Sequence, residues 1–271
     1  AEAATGKPFH EITADLATLE PVARVVEEAD AAAKADGSRL DILVNNAGII
    51  RRADAIDFTE ADWDAVLALA ARHADVVPLL GLHPWYVGQA TPGWADRLEA
   101  QLQAHPEAGI GEAGLDFALE GLREEDRQRQ EDAPRAQLRL AKALDRPLSL
   151  HCRRAWEPLA TLARKEGLPA RGAVVHAFSG SAETARELQA LGFHLSFGCG
   201  LARPGAAKAA RALRAVSLDR LLLETDAPDL PPRHLPGWEA RPNEPAALRV
   251  ALAAAAQLLG LGEEDLAARI E

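Results

Sequence analysis

Methionine is missing from all 271 residues, and cysteine occurs only twice, at Cys152 and Cys199. Two cysteines cannot build a disulfide framework, so a reducing cytoplasm is the expected compartment. A chain with no initiating methionine is expected to begin inside a longer reading frame or to have been altered. No apolar run approaches the roughly 18 residues needed to span a bilayer, and "AEAATGKPFHE" lacks the basic-then-apolar layout of a signal peptide. No membrane partner is expected. Basic residues are in deficit: 30 Lys and Arg stand against 41 Asp and Glu, a formal net charge of −11. Such a surface has no basic face on which to wrap a long duplex. It leaves room for a nucleic-acid end or a small phosphoester held locally by a metal and one or two arginines. Low-complexity linkers, acidic tails and sequence repeats are absent too, so nothing divides the chain.

What is present is a rhythm. Hydrophobic residues make up 48% and charged residues 26%, an ordinary globular mixture long enough to bury a sizeable core. Apolar stretches of strand length ("FHEITADL", "LDILVNNAG", "VVPLLGLHP", "AGIGEAGLD", "PLSLHCR", "AVVHAFSG", "FHLSFG", "LLLETDAP") alternate with amphipathic stretches of helical period. Regular β–α alternation implies a parallel sheet with right-handed crossovers. Eight strands are the number that closes a ring, so the expected fold is α/β, a (βα)8 TIM barrel forming one domain over residues 1–271. Pro231, Pro232 and Pro236 mark a loop after the last strand.

Ionisable residues recur at the C-terminal ends of these strands: His83, Glu112, Asp116, His151, Arg153, His176 and Asp226. Loops from separate strands converge at that edge of a barrel, which is where barrel enzymes keep their sites. One histidine at a strand end is ordinarily a hydrogen-bonded structural group. Three histidines with two or three carboxylates at successive strand ends suit zinc and similar divalent ions, which activate water near neutral pH.

The motifs "GLHPWYV", "GIGEAGLDF", "QLRLAKALDRPLSLHCRRAW", "VVHAFSGS", "LLLETDAPDLPP" and "RPNEP" stand in the order found in the TatD-like metal-dependent hydrolases, which this chain resembles from about Leu67 to its end. The resemblance implies a (βα)8 barrel that uses one or two divalent metals (Zn, Mg or Mn) to cleave phosphodiester bonds, typically in DNA. It implies that Glu112 bridges the metals and that His151 and His176 complete one of them. Asp226 would bind the other and orient the attacking water, which makes Glu112 and Asp226 the catalytic pair. His83 resembles a family position near the substrate phosphate, with a structural cap on the strand end as the other reading. Arg153 either pairs with a phosphate through its planar fork or balances the site's carboxylates.

One element of that family pattern is missing. An H-x-H pair on the first strand should supply two metal ligands, yet His10 is the only histidine in residues 1–66. One ion on Glu112, His151 and His176 survives this loss, while a second keeps only Glu112 and Asp226, so the expected metal site is a weakened one. Residues from about Phe9 to Val66 resemble instead the short-chain dehydrogenase/reductases, through "ITADL" with Asp15, "LDILVNNAG" with Asn45, Asn46, Ala47 and Gly48, and "FTEADWDAV". That family's glycine-rich phosphate turn is absent, and Tyr86, the only tyrosine, is followed four residues on by Ala90 rather than by lysine. No nicotinamide site is expected. The segment reads as a graft of two Rossmann-like βα units that supply the barrel's first two, without which the third and eighth strands would expose unpaired edges. An inactive chimeric barrel and a remnant of an NAD(P)-dependent dehydrogenase are the alternatives.

Other residues carry two readings. Asp116 is expected to orient a neighbouring ligand rather than bind metal. Asn243 and Glu244 either belong to the family signature or cap the last helix. Cys152 should point to the strand face opposite His151, where a small buried hydrophobe belongs. Trp85, Trp94 and Trp156 are expected to pack under loops, with base stacking as the alternative. Pro134 should kink or restart its helix.

Overall fold

A computed structural model describes residues 60–72, 76–240 and 242–270. The first two expected strands, and with them closure into an eight-stranded ring, lie outside the described residues. So do His10, Asp15, Asn45 and most of the dehydrogenase-like segment. The other six expected strands are present, in one parallel sheet whose spatial order is their chain order.

After helix α1 (Glu60–Ala70), the sheet is built from β1 (Leu79–Leu80), β2 (Gly109–Asp116), β3 (Leu148–Arg153), β4 (Ala173–Val175), β5 (His194–Phe197) and β6 (Leu221–Leu223). Helices α2 (Trp94–Ala104), α3 (Glu124–Ala143), α4 (Trp156–Glu166), α5 (Ala182–Ala190) and α6 (Ala207–Leu213) form the successive crossovers. The chain closes with α7 (Leu248–Leu259) and α8 (Glu263–Ile270). No single described helix is long and apolar enough to cross a membrane. The result is an α/β, TIM-barrel-like arrangement.

The strands read as continuous apolar runs because a parallel sheet is covered on both faces. Seven of the eight residues of β2 and the first five of β3 are buried. The helices cover the sheet through narrow apolar stripes. On α4 the stripe is Leu159, Ala160, Leu162 and Ala163, the spacing of one face at 3.6 residues per turn. Leu80, Ile110, Leu115, Leu148 and Leu195 from the strands meet Leu98, Leu102, Leu159, Leu188 and Leu213 from the helices in one core. Each such leucine, fully withdrawn from water, contributes about 1.5–3 kcal/mol. Ser181 caps α5 by accepting the Thr184 N–H, and Gly260 ends α7 with a left-handed φ of 70°.

Helix α3 departs from expectation. The sequence pattern isolates "QLRLAKAL", and Pro134 should interrupt what precedes it, yet α3 runs through Pro134 as one helix of 20 residues. Proline forfeits one backbone hydrogen bond there, while its ring and the same face of the helix are buried: Gln130, Ala133, Pro134, Gln137, Leu138 and Ala141. Packing against the sheet outweighs the lost bond.

Candidate metal centre

Strand alternation puts His151 and Arg153 on one face of β3 and Cys152 on the other. Cys152 is buried among core residues, and burial pushes its thiol up to about 12. On β2 the register slips by one residue, Ile110 pairing with Leu148 and Ala113 with Leu150, so Gly111 and Glu112 together oppose Ser149. A bulge of this kind re-aims a side chain, and the one it re-aims here is Glu112. Two residues on, Gly114 has φ +130°, and a Cβ there would sit 2.0 Å from the His151 carbonyl oxygen. Only glycine lets β2 and β3 close up between the two site residues.

Three imidazoles converge on one oxygen. Glu112 Oε1 lies 2.9 Å from His151 Nδ1 and 3.5 Å from His83 Nε2, and is in direct contact with His176 Nε2. Ligand atoms of His83, Glu112 and His151 all lie within 4.8 Å of one another, the spacing of groups that can share an ion. Burial opposes the Glu112 charge, but the His176, His151 and His83 rings outweigh it and hold the carboxyl well below the ordinary carboxylate range.

The second ring nitrogens decide what each histidine can do. His151 Nε2 donates to Asp116 Oδ2 at 3.0 Å and Nδ1 to Glu112 Oε1 at 2.9 Å. Burial opposes a charge on the ring, but these two carboxylates outweigh it and raise the His151 pKa. Asp116 is fully buried and also accepts from Trp85 Nε1 at 2.8 Å and from the Ala118 N–H at 2.9 Å. Against the cost of burial these bonds lower its carboxyl to about 2. His83 Nδ1 accepts the Trp85 N–H at 3.2 Å, so the neutral His83 ring carries its proton on Nε2 and presents a donor to the site. Burial lowers the His83 pKa, only partly opposed by Glu112. His176 Nδ1 is buried without a hydrogen-bond partner, 3.8 Å from both Glu224 Oε1 and Asp226 Oδ1. Burial works against an imidazolium there, and the Glu112, Glu224 and Asp226 carboxylates override it and raise the His176 pKa.

The backbone at the mouth is bent at three strand ends. Arg154 follows β3 with φ 53°, Ala177 follows His176 with φ 45°, and Asp226 has φ 59°. Left-handed conformations at non-glycine residues cost about 1–3 kcal/mol each and cluster at functional sites. Asn243, buried, holds the loop that carries Asp226: its Nδ2 donates to the Thr225 and Asp229 carbonyls. Its Oδ1 accepts the Glu244 N–H at 3.0 Å. Asn243 thus secures the Asp226 loop, a part neither sequence reading foresaw. Arg153 is 54% exposed at the mouth, its Nη1 3.4 Å from Asp116 Oδ2.

Residues 22–271 match the family described as TatD related DNase. The chain belongs to that family. TatD relatives include the uncharacterized metal-dependent hydrolase YjjV of Escherichia coli K12, 37% identical over 190 residues, 69% of this chain and 71% of its own. The 3'-5' ssDNA/RNA exonuclease TatD of Cronobacter turicensis is 39% identical over 202 residues, 72% of this chain and 73% of its own. The crystal structure of the E. coli TatD homologue YJJV superposes with a TM-score of 0.69 at 34% identity, covering 78% of this chain and 79% of that one. The TatD-family match begins at residue 22, inside the stretch that resembles short-chain dehydrogenases, so the two likenesses overlap over residues 22–66.

Sequence reasoning missed two side chains of this TatD-type site. Gln137 of α3 accepts the Leu82 N–H at 2.8 Å and donates to the Leu82 carbonyl at 3.1 Å, pinning the residue before His83. Gln130, seven residues earlier on the same helix face, accepts the Asp116 N–H at 2.8 Å. Both glutamines are buried. The signal was available: two amides at i, i+7 on an otherwise apolar stripe need buried partners. Trp85 corrects the packing expectation, being 43% exposed at the mouth, whereas Trp94 and Trp156 do pack partly buried against the core.

Proposed function

We propose that this chain is a divalent-metal-dependent hydrolase of phosphodiester bonds, acting on single-stranded DNA or RNA ends or on small phosphoesters. The observation that carries the reading is the convergence of His83, His151 and His176 on Glu112 Oε1. Such crowding of nitrogen and carboxylate donors suits a cation. With its Nε2 proton committed to Asp116, His151 can offer only Nδ1 inward, the arrangement by which an outer carboxylate orients a ligating histidine. The membership of the TatD family and the nuclease name of one relative point the same way.

Glu112, His151, His176 and Asp226 are assigned to hold the metal. A divalent ion there supplies Lewis-acid polarisation of a phosphoryl oxygen. Asp226 orients the attacking water and takes up its proton at the carboxylate; as the water oxygen bonds to phosphorus, the P–O bond to the leaving oxygen breaks and that oxygen takes a proton from solvent. His83, with the proton on Nε2, donates to a non-bridging phosphate oxygen, and Arg153 pairs with the same phosphate from the exposed side. The net charge of −11 confines binding to this local patch, consistent with strand ends rather than long duplexes. Residues 1–66 are assigned to the same single domain as the barrel's first two βα units, and the missing H-x-H leaves the second ion weakly held.

Elemental analysis of protein purified with divalent metal supplied, alongside an oligonucleotide cleavage assay, tests this. Up to one tightly held ion per chain is expected, lost together with cleavage in Glu112→Ala. Two tight ions would mean that residues outside the described ones supply further ligands. An intact fold with neither metal nor turnover would leave the inactive chimeric barrel standing.

A further inference from the structure

We propose that Trp85 is a preformed stacking platform for the nucleobase next to the phosphodiester held at Glu112. The proposal rests on the phosphodiesterase reading above and adds how the rest of the nucleotide is gripped. Only three large apolar side chains among the described residues are exposed, Val77, Trp85 and Leu230. Of these, Trp85 alone is bonded to the metal centre. Its ring centroid lies 4.9 Å from that of His83 and 6.2 Å from that of His151.

The ring is also fixed. Its Nε1–H donates to Asp116 Oδ2, the same oxygen that receives His151 Nε2. Its backbone N–H is taken by His83 Nδ1, and the Tyr86 N–H closes the short 3₁₀ turn Pro84–Tyr86 onto the His83 carbonyl at 3.0 Å. The indole is therefore held at one edge and at its backbone while 43% of the residue remains in contact with water. A side chain placed to be covered by the fold would not be bonded at its edge and left open. Fixing the ring in advance removes the ordering cost of binding. The exposed guanidinium of Arg153, 3.4 Å from that same Asp116 oxygen, supplies a cation beside the ring for the adjoining phosphate. An aromatic surface flanked by a phosphate-binding cation matches one nucleotide of a single strand, and stacking accepts any base.

The test is equilibrium binding, by fluorescence anisotropy, of a short labelled single-stranded oligonucleotide and of a fully abasic strand of the same length. Both are titrated in the presence of manganese into the parent, Trp85→Phe and Trp85→Leu, and turnover of each strand is measured separately. The parent should bind the base-bearing strand more tightly. Trp85→Leu should reduce that preference by about 5- to 150-fold, the range for loss of one stacked base. Trp85→Phe keeps a stacking face without the N–H and should retain most of the preference. An undiminished preference in Trp85→Leu would overturn the proposal. Equal losses in both variants would overturn it too, since the bond to Asp116 would then carry the effect. Should the parent cleave neither strand while the binding preference follows the ring, the hydrolase reading falls and the stacking platform stands.

Discussion

Replacing Gln137 with leucine keeps a side chain of similar size in the α3 stripe and removes both hydrogen bonds to Leu82, at 2.8 Å and 3.1 Å. Leu82 is buried, so its N–H and C=O are left with no water to replace them. Each stranded group costs about 1–3 kcal/mol, giving a total of roughly 2–6 kcal/mol. For a chain of this size that lowers Tm by roughly 4–24 °C. Because His83 follows Leu82 directly, loss of kcat/KM should accompany the loss of stability. Urea unfolding followed by circular dichroism, with the slope unchanged and the midpoint shifted, gives the number. A midpoint within about 0.5 kcal/mol of the parent, inside the spread of ordinary surface substitutions, would refute the reasoning. Gln137→Glu sharpens the test. A protonated carboxyl can both donate to the Leu82 carbonyl and accept its N–H, whereas the carboxylate can only accept. Burial raises the folded pKa of such a glutamic acid above its ordinary value of about 4.3. The variant's deficit relative to the parent should therefore be smallest below about pH 4.3 and grow as pH rises through the raised value.

Two further outcomes are expected. Asp116→Asn leaves the fold in place but no longer fixes the His151 proton on Nε2, so metal affinity should fall about 10- to 100-fold; isothermal titration with manganese measures it, and an unchanged affinity would remove Asp116 from the site. Cys152 and Cys199 are buried, and burial raises their thiols to about 12 and about 11, so neither should react with a disulfide reagent at pH 8 until the protein is unfolded. A rapidly titrating thiol in the native protein would contradict both burials. The sign of the linkage follows: with folded thiol pKa values above the ordinary 9.0, stability is complete below pH 9 and declines as pH rises through about 11–12.

Periodicity was enough to place the six described strands, their parallel order and most of the covering helices, because a parallel sheet buried on both faces imposes apolar runs and helices on its faces impose stripes. The pattern also put His83, Glu112, Asp116, His151, Arg153, His176 and Asp226 at successive strand ends, and of these the structure gathers His83, His151 and His176 around Glu112 Oε1 with Asp116 behind His151. The α3 helix was underestimated, since local propensity counts the cost of Pro134 and is blind to the burial that offsets it. What tertiary structure alone decided is which nitrogen of each histidine faces the centre. That depends on Asp116 meeting His151 Nε2 and on the Trp85 N–H meeting His83 Nδ1, contacts set by the bulge at Gly111–Glu112 and by glutamines on a helix packed behind the sheet. Sequence spacing specifies which residues arrive at the mouth, and hydrogen bonds between elements far apart in the chain specify how they are turned once there.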